Sequence, residues 1–198
     1  IDGVYDALRH NRKLLISPTA SGKSLMIYSI VRYYVGRKKN ILIVVPTTSL
    51  VEQMYKDFAD YGWDVGSFCH KVYAGKERET DSQVIITTWQ SIYKLPRKYF
   101  ERFSVVIGDE AHQFKSKSLI SIMTKLDGAK YRFGFTGTLD GSETHKWVLE
   151  GLFGPSYKII KTDELMKKGH LAKLDINVLL LKHPPNKFEN FEEEVQYI

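Results

Sequence analysis

Lys23 and the pair Asp109-Glu110 are the residues of this chain best suited to chemistry on a polyphosphate. Lys23 stands in the loop Pro18-Thr19-Ala20-Ser21-Gly22-Lys23-Ser24, which follows the apolar run Leu14-Leu15-Ile16 and opens a helix-like stretch from Leu25 to Val35. A phosphate-binding loop requires that strand–loop–helix setting. Its backbone N–H groups point inward on a polyphosphate, and the start of the next helix adds a positive dipole end. Lys23 is placed to reach the β- and γ-phosphates, and the Ser24 hydroxyl to hold Mg²⁺. The plainer alternative is a Gly-Lys-Ser helix start with no ligand.

Asp109-Glu110-Ala111-His112 directly follows the apolar run Phe103-Ser104-Val105-Val106-Ile107-Gly108. An acidic pair after a buried strand suits a nucleotide site. Asp109 would hold Mg²⁺, directly or through water, and Glu110 would orient or deprotonate the attacking water. Burying a carboxylate without a cation is costly, so a buried acid in this position has a reason to exist. Two acids favoured by the dipole of a helix start are the alternative. The phosphate loop upstream weighs against that alternative.

Such groups meet only if strands and helices bring them to one edge. Candidate strands are Leu14–Ser17, Asn40–Val45, Phe68–Val72, Gln83–Thr87, Ser104–Gly108 and Tyr131–Thr136. Several are continuous Val/Ile/Leu runs, the pattern of strands buried on both faces of a parallel sheet. Between them, helical spacing of apolar residues predicts helices over Ser24–Gly36, Thr48–Tyr61 and Lys117–Leu126. The order implies an α/β fold with a mostly parallel central sheet flanked by helices. Right-handed crossovers then place the loops that follow the strands on one edge.

The tail changes character near Gly151. Leu152-Phe153-Gly154-Pro155 reads as a turn, Thr162–Lys168 as a short helix capped by Thr162, and Leu174–Leu181 as a strand. A polar, acidic end follows His183-Pro184-Pro185. The expected organisation is therefore a nucleotide-binding domain over 1–150 and, over 151–198, the end of that domain with a linking segment. The chain starts with Ile, in what reads as mid-helix, and is expected to be a fragment of something longer.

Composition narrows the partners. A net charge of +6 hints at a polyanion. The single cysteine, Cys69, rules out an intramolecular disulfide framework and reads as a small core residue. His70, His145, His170 and His183 show no zinc-ligand spacing with it. No apolar run approaches the ~20 residues of a membrane span.

Asp109-Glu110-Ala111-His112 resembles the signature of superfamily 2 DEAH-type helicases and translocases. Further blocks match in order. Pro46-Thr47-Thr48-Ser49-Leu50, followed by Gln53, is similar to the family's first DNA-contact motif. Thr87-Thr88-Trp89-Gln90-Ser91 resembles the second, and Thr136-Gly137-Thr138 the motif that links hydrolysis to strand movement. Within the superfamily, Ile43–Thr48, the Thr-Trp-Gln block and Phe133–Thr138 look most like the UvsW-type phage helicases. The chain departs from the family pattern at Ser17 and Ala20, where Gly is usual, and neither departure touches Gly22, Lys23 or Ser24.

The resemblance implies the first RecA-like domain of an ATP-dependent helicase, with ATP and Mg²⁺ as cofactors. DNA, single-stranded or branched, or an RNA–DNA hybrid would be the partner, in recombination, replication or repair. It also implies an adenine-reading Gln before Ile1, a second RecA-like domain carrying arginine fingers after Ile198, weak ATPase activity of this part alone, and a cytoplasmic setting, the host's if phage-encoded. An RNA helicase and a non-catalytic nucleic-acid-binding domain are the alternatives.

The motif residues acquire physical roles accordingly. Pro46, Thr47, Thr48, Thr87, Thr88 and Gln90 are candidates for holding backbone phosphates through hydroxyls and helix-start N–H groups. Helix capping by Thr47 or Thr48 is compatible with that. Trp89 is read as a buried aromatic beside the sheet edge, with stacking on a base as the alternative. His112 would couple the γ-phosphate site to Thr136 and Thr138. Basic clusters at Lys94/Arg97/Lys98 and Lys115/Lys117 follow motif loops and are candidates for approach to nucleic acid; Arg37-Lys38-Lys39 reads as a solvated loop.

Overall fold

The computed structural model describes residues 2–18, 21–74, 80–113, 116–137, 143–160, 162–167 and 169. Its first half runs α1 (Asp2–Arg9), β1 (Arg12–Ile16), α2 (Lys23–Val35), β2 (Ile41–Val45), α3 (Thr48–Asp60), α4 (Val65–Phe68), β3 (Cys69–Val72) and β4 (Val84–Thr88). The second half runs α5 (Trp89–Ile92), α6 (Arg97–Phe100), β5 (Val105–Gly108), a 3₁₀ turn over Ala111–Gln113, α7 (Ser116–Lys125), β6 (Tyr131–Thr136), α8 (Glu143–Phe153), β7 (Ser156–Lys158) and α9 (Thr162–Lys167).

Seven strands form one sheet in the order β3-β4-β2-β5-β6-β1-β7, and every described pairing is parallel. Alternate side chains enter opposite cores, as a period of two demands. Ile41, Ile43 and Val45 of β2 join Val105 and Ile107 of β5 against α2 and α3. Leu42, Val44 and Val106 face the other way, into a core completed by Phe100, Phe103, Ile122 and Phe153. This two-sided burial is why the strands are apolar throughout.

The fold class agrees with expectation, and differences concentrate at the edges. Phe68 closes the short helix α4, so the strand begins at Cys69. Cys69 is buried, and burial pushes its thiol up to about 12. Leu152 and Phe153 are not a turn: they end α8, with Phe153 fully buried, and the chain turns at Gly154-Pro155. The expected change of character at 151 therefore falls inside a helix. Beyond it, β7 pairs with β1 and belongs to the same sheet. The strand expected over Leu174–Leu181 lies outside the described residues.

Gly134 shows how closely β6 is covered. A Cβ there would stand 2.8 Å from Leu14 Cδ1 and 2.8 Å from Phe153 Cγ. Only a residue without a side chain lets α8 seat on the sheet at this point.

Candidate nucleotide and nucleic-acid sites

Because the strands are parallel, Ile16, Val45, Thr88, Gly108 and Thr136 all end on one edge. Open α/β sheets bind ligands there. Two concavities lie on that edge.

The first follows β1. Ser17 is fully buried, its N–H donates to the Thr136 carbonyl at 2.8 Å, and its hydroxyl pairs with that of Ser21. Ser21 Oγ also donates to the Pro18 carbonyl at 2.5 Å, so the described ends of the loop are pinned together. Gly22 has φ 79°, the left-handed region that favours glycine, and nothing lies within 4 Å of where its Cβ would be. Helix α2 starts immediately after it, with no side-chain cap and no acid in its first turn. Its first N–H groups are therefore not claimed by a side-chain cap, as an anion-binding helix start requires. Thr19 and Ala20 lie outside the described residues.

The acidic pair reaches the same place from β5. Lys23 Nζ bonds the Glu110 carboxylate and stands 3.6 Å from Asp109 Oδ1. Glu110 has φ 50°, unusual for a residue with a side chain. Its own N–H donates to Asp109 Oδ1 at 2.9 Å, which helps hold that bend. Asp109 is 7% exposed. Burial pushes its carboxyl above the usual carboxylate range; Lys23 opposes this and Glu110 adds to it. Lys23, Asp109 and Glu110 line a cleft of about 310 Å³ with Pro18, Gly22 and Ser24.

Two features of this cleft escaped sequence reasoning. One face of α3 closes it: Leu50, Gln53, Met54 and Asp57 at helical spacing. Gln53, grouped by resemblance with a DNA-contact motif, thus lines the cleft of Lys23. Asp57 accepts a hydrogen bond from the Ser24 hydroxyl at 2.6 Å. The signal lay in the spacing of these residues, but an amphipathic helix does not announce which cavity its polar positions border.

Oxygen donors predominate here. Ser24, Asp109 and Glu110 offer a hydroxyl and two carboxylates, the hard ligands that Mg²⁺ takes. Among the described residues no group of three or more His, Cys, Asp or Glu side chains is placed to hold a metal ion. That still fits Mg²⁺, which binds through one or two carboxylates plus phosphate oxygens and water rather than in an all-protein cage. Asp109, with burial outweighing the help of Lys23, has the character of a carboxylate that a cation would relieve.

The second concavity, of about 360 Å³, lies beyond β2 and β4 and is lined by Pro46, Thr47, Thr48, Ala74, Thr88, Gln90 and Ser91. Thr47 and Thr48 are exposed, and Thr47 Oγ1 caps α3 by accepting from Leu50 N at 3.3 Å. Gln90 Nε2 donates to the Pro46 carbonyl at 3.2 Å and ties the two loops together. Thr88 is nearly buried, its hydroxyl 2.8 Å from that of Ser91. Thr87 stands apart: it is fully buried and donates to the Val72 carbonyl at 2.7 Å, fastening β3 to β4 instead of facing the cavity. Trp89 is half-buried, edge-on to Tyr93 with ring centroids 5.9 Å apart.

His112 joins the acidic pair to the end of β6. Its Nδ1 is 2.7 Å from Thr136 Oγ1 and 3.5 Å from Glu110 Oε2. Gly137 follows at the end of β6 and lies 3.8 Å, by its would-be Cβ, from the Ser17 carbonyl. Thr138 and Lys115 lie outside the described residues. Of the basic cluster after α5, Arg97 is paired with Asp127.

Comparison with known proteins places the chain in a family. The family described as "Type III restriction enzyme, res subunit" matches residues 3–141. The ATP-dependent DNA helicase uvsW of Enterobacteria phage T4 is 33% identical over 207 residues, covering 100% of this chain and 41% of that protein. The chain thus spans about two-fifths of the length of this curated relative. The crystal structure of the UvsW helicase from bacteriophage T4 matches with TM-score 0.72 and 35% identity, over 79% of this chain and 57% of that one. The Hef helicase domain of Pyrococcus furiosus has TM-score 0.67 at 20% identity, over 82% of this chain and 38% of that one, a likeness of fold alone. The parallel sheet is accordingly of the RecA-like helicase type.

Proposed function

The chain belongs to the family of the Type III restriction enzyme res subunit, and from that premise we propose that it is the ATP-binding motor domain of an ATP-dependent nucleic-acid helicase or translocase. The observation that carries this reading is the convergence of Lys23, Asp109 and Glu110 in one cleft on the strand-end edge, with the Thr47–Gln90 cavity on the same edge.

In this reading Lys23 holds the phosphates together with the N–H groups at the start of α2. Mg²⁺, when bound by Ser24 and Asp109, supplies charge neutralisation for the phosphate oxygens. Glu110 orients the attacking water. Lys23 is paired with Glu110, so phosphates bound by the lysine would exchange one of its anionic partners for another and release Glu110 for water. Thr47, Thr48, Thr88 and Gln90 hold the nucleic-acid backbone, and His112 with Thr136 relays between the sites. The named relative is an ATP-dependent DNA helicase of a phage, which supports DNA as the substrate; branched DNA or an RNA–DNA hybrid is the finer part of this proposal. A second RecA-like lobe would complete catalysis.

The test is nucleotide binding by this chain and turnover by a protein carrying both lobes. Lys23→Ala should lose ATP affinity. Glu110→Gln should keep it while turnover with single-stranded or forked DNA falls by about 100-fold or more, since a positioned base contributes roughly 10²–10⁴ in rate. Near-normal turnover of Glu110→Gln would remove Glu110 from its role. RNA stimulating better than any DNA or hybrid would redirect the substrate.

A further inference from the structure

The bond between Ser24 and Asp57 is not explained by the phosphate loop or by the acidic pair. Ser24 is the second residue of α2 and Asp57 lies in the last half of α3, so this hydrogen bond joins two separate helices. A serine hydroxyl has one proton and two lone pairs. At 2.6 Å the proton of Ser24 is given to Asp57 Oδ2, which leaves the lone pairs for other partners. The Tyr61 hydroxyl donates to Ser24 Oγ at 3.4 Å, a long contact that occupies one lone pair at most. Both Ser24 and Asp57 line the cleft of Lys23, Asp109 and Glu110.

We propose that Asp57 is a positioning residue of the nucleotide site: by accepting the Ser24 hydroxyl's hydrogen bond it orients that hydroxyl with its oxygen lone pairs toward a divalent cation. The proposal rests on the nucleotide reading above and adds to it a residue from a different helix. A carboxylate that accepts from a metal-ligating group fixes the orientation of that group and raises its basicity. It also places a further negative charge beside the cleft without making Asp57 a ligand. Because α3 begins at Thr47 and Thr48, the same rigid helix that borders the second cavity holds the Ser24 hydroxyl in the first.

The experiment is equilibrium titration of the 198-residue chain with a ribose-labelled fluorescent ATP analogue, once with excess Mg²⁺ and once with excess EDTA. The readout is the gain in affinity that Mg²⁺ produces, not turnover. Asp57→Ala should shrink that gain by about 10-fold while affinity in EDTA stays within about twofold, the usual scale for losing the partner of a metal ligand. Asp57→Asn, which keeps an acceptor oxygen in place, should retain more of the gain. Ser24→Ala should abolish most of it, and adding Asp57→Ala to Ser24→Ala should change nothing further, because Asp57 acts through Ser24.

An undiminished gain in Asp57→Ala, or additive losses in the double variant, would overturn the proposal while leaving the nucleotide reading intact. So would a lower unfolding temperature for Asp57→Asn with an unchanged gain, since that marks a tie between helices and nothing more. Should Asp57→Ala fail to fold, Asp57→Asn and Ser24→Ala complete the cycle. Absence of Mg²⁺-dependent binding by the unsubstituted chain would overturn the nucleotide reading and this proposal together.

Discussion

At Asp109 burial and charge oppose each other. The carboxyl is nearly enclosed, and burial raises its pKa from the ordinary 3.8 despite Lys23 at 3.6 Å. Between 3.8 and the raised value, the folded chain holds a proton that the unfolded chain has released. Stability therefore falls as pH climbs through that window. Asp109→Asn removes the charged form, so thermal unfolding of the nucleotide-free variant at neutral pH should occur at higher temperature than for the parent. The difference should fade as pH falls towards 3.8. A variant less stable than the parent at neutral pH would show that the pairing with Lys23 outweighs burial. On the proposed reading such a residue is retained for function, because a divalent cation bound beside it would relieve the penalty. The residue types were enough to select Lys23, Asp109 and Glu110 from sequence. The left-handed backbone of Glu110 that turns it towards Lys23 was not legible, because nothing in Gly-Asp-Glu-Ala requires it.

Elements buried on both faces were the legible ones. Ile41–Val45 and Val105–Gly108 are apolar along their whole length because each side chain enters one core or the other. By contrast, Ser156–Lys158 is a strand only because it pairs with β1, and Ser-Tyr-Lys carries no pattern of its own. Helix α8 hid for a related reason: Leu149 and Phe153 are fully buried but Trp147 is 62% exposed, so its apolar residues do not mark one face. The seat of α8 on Gly134 gives a direct test. Gly134→Ala would put a methyl group 2.8 Å from both Leu14 and Phe153. Overpacking of this kind costs about 1–3 kcal/mol. Urea denaturation should show a lower midpoint at unchanged slope, and an unaltered midpoint would mean that α8 yields freely.

Across the whole molecule, the parallel sheet gathers both concavities on one edge, and α3 borders both. The net charge of +6 belongs to this scale too. If the edge takes a nucleic-acid backbone, affinity for a single-stranded oligonucleotide should fall with salt, by a log–log slope of about 0.7 for each phosphate engaged. A total slope of about 2 or more corresponds to three phosphates or more. A slope near zero would remove backbone phosphate from the Thr47–Gln90 cavity. By itself, the sequence determined the fold class and the side chains that stand at its centre, since two-sided burial writes apolar runs and Lys23, Asp109 and Glu110 each follow a strand end closely in the chain. It also paired Thr87 with Thr88, two like residues of one motif. Only the tertiary structure separated them, giving Thr87 to the Val72 carbonyl and leaving Thr88 to line a cavity. In the same way it joined Asp57 to Ser24 across 33 residues. Such partnerships depend on how helices pack against the sheet, and packing brings together groups whose separation along the chain carries no trace of the meeting.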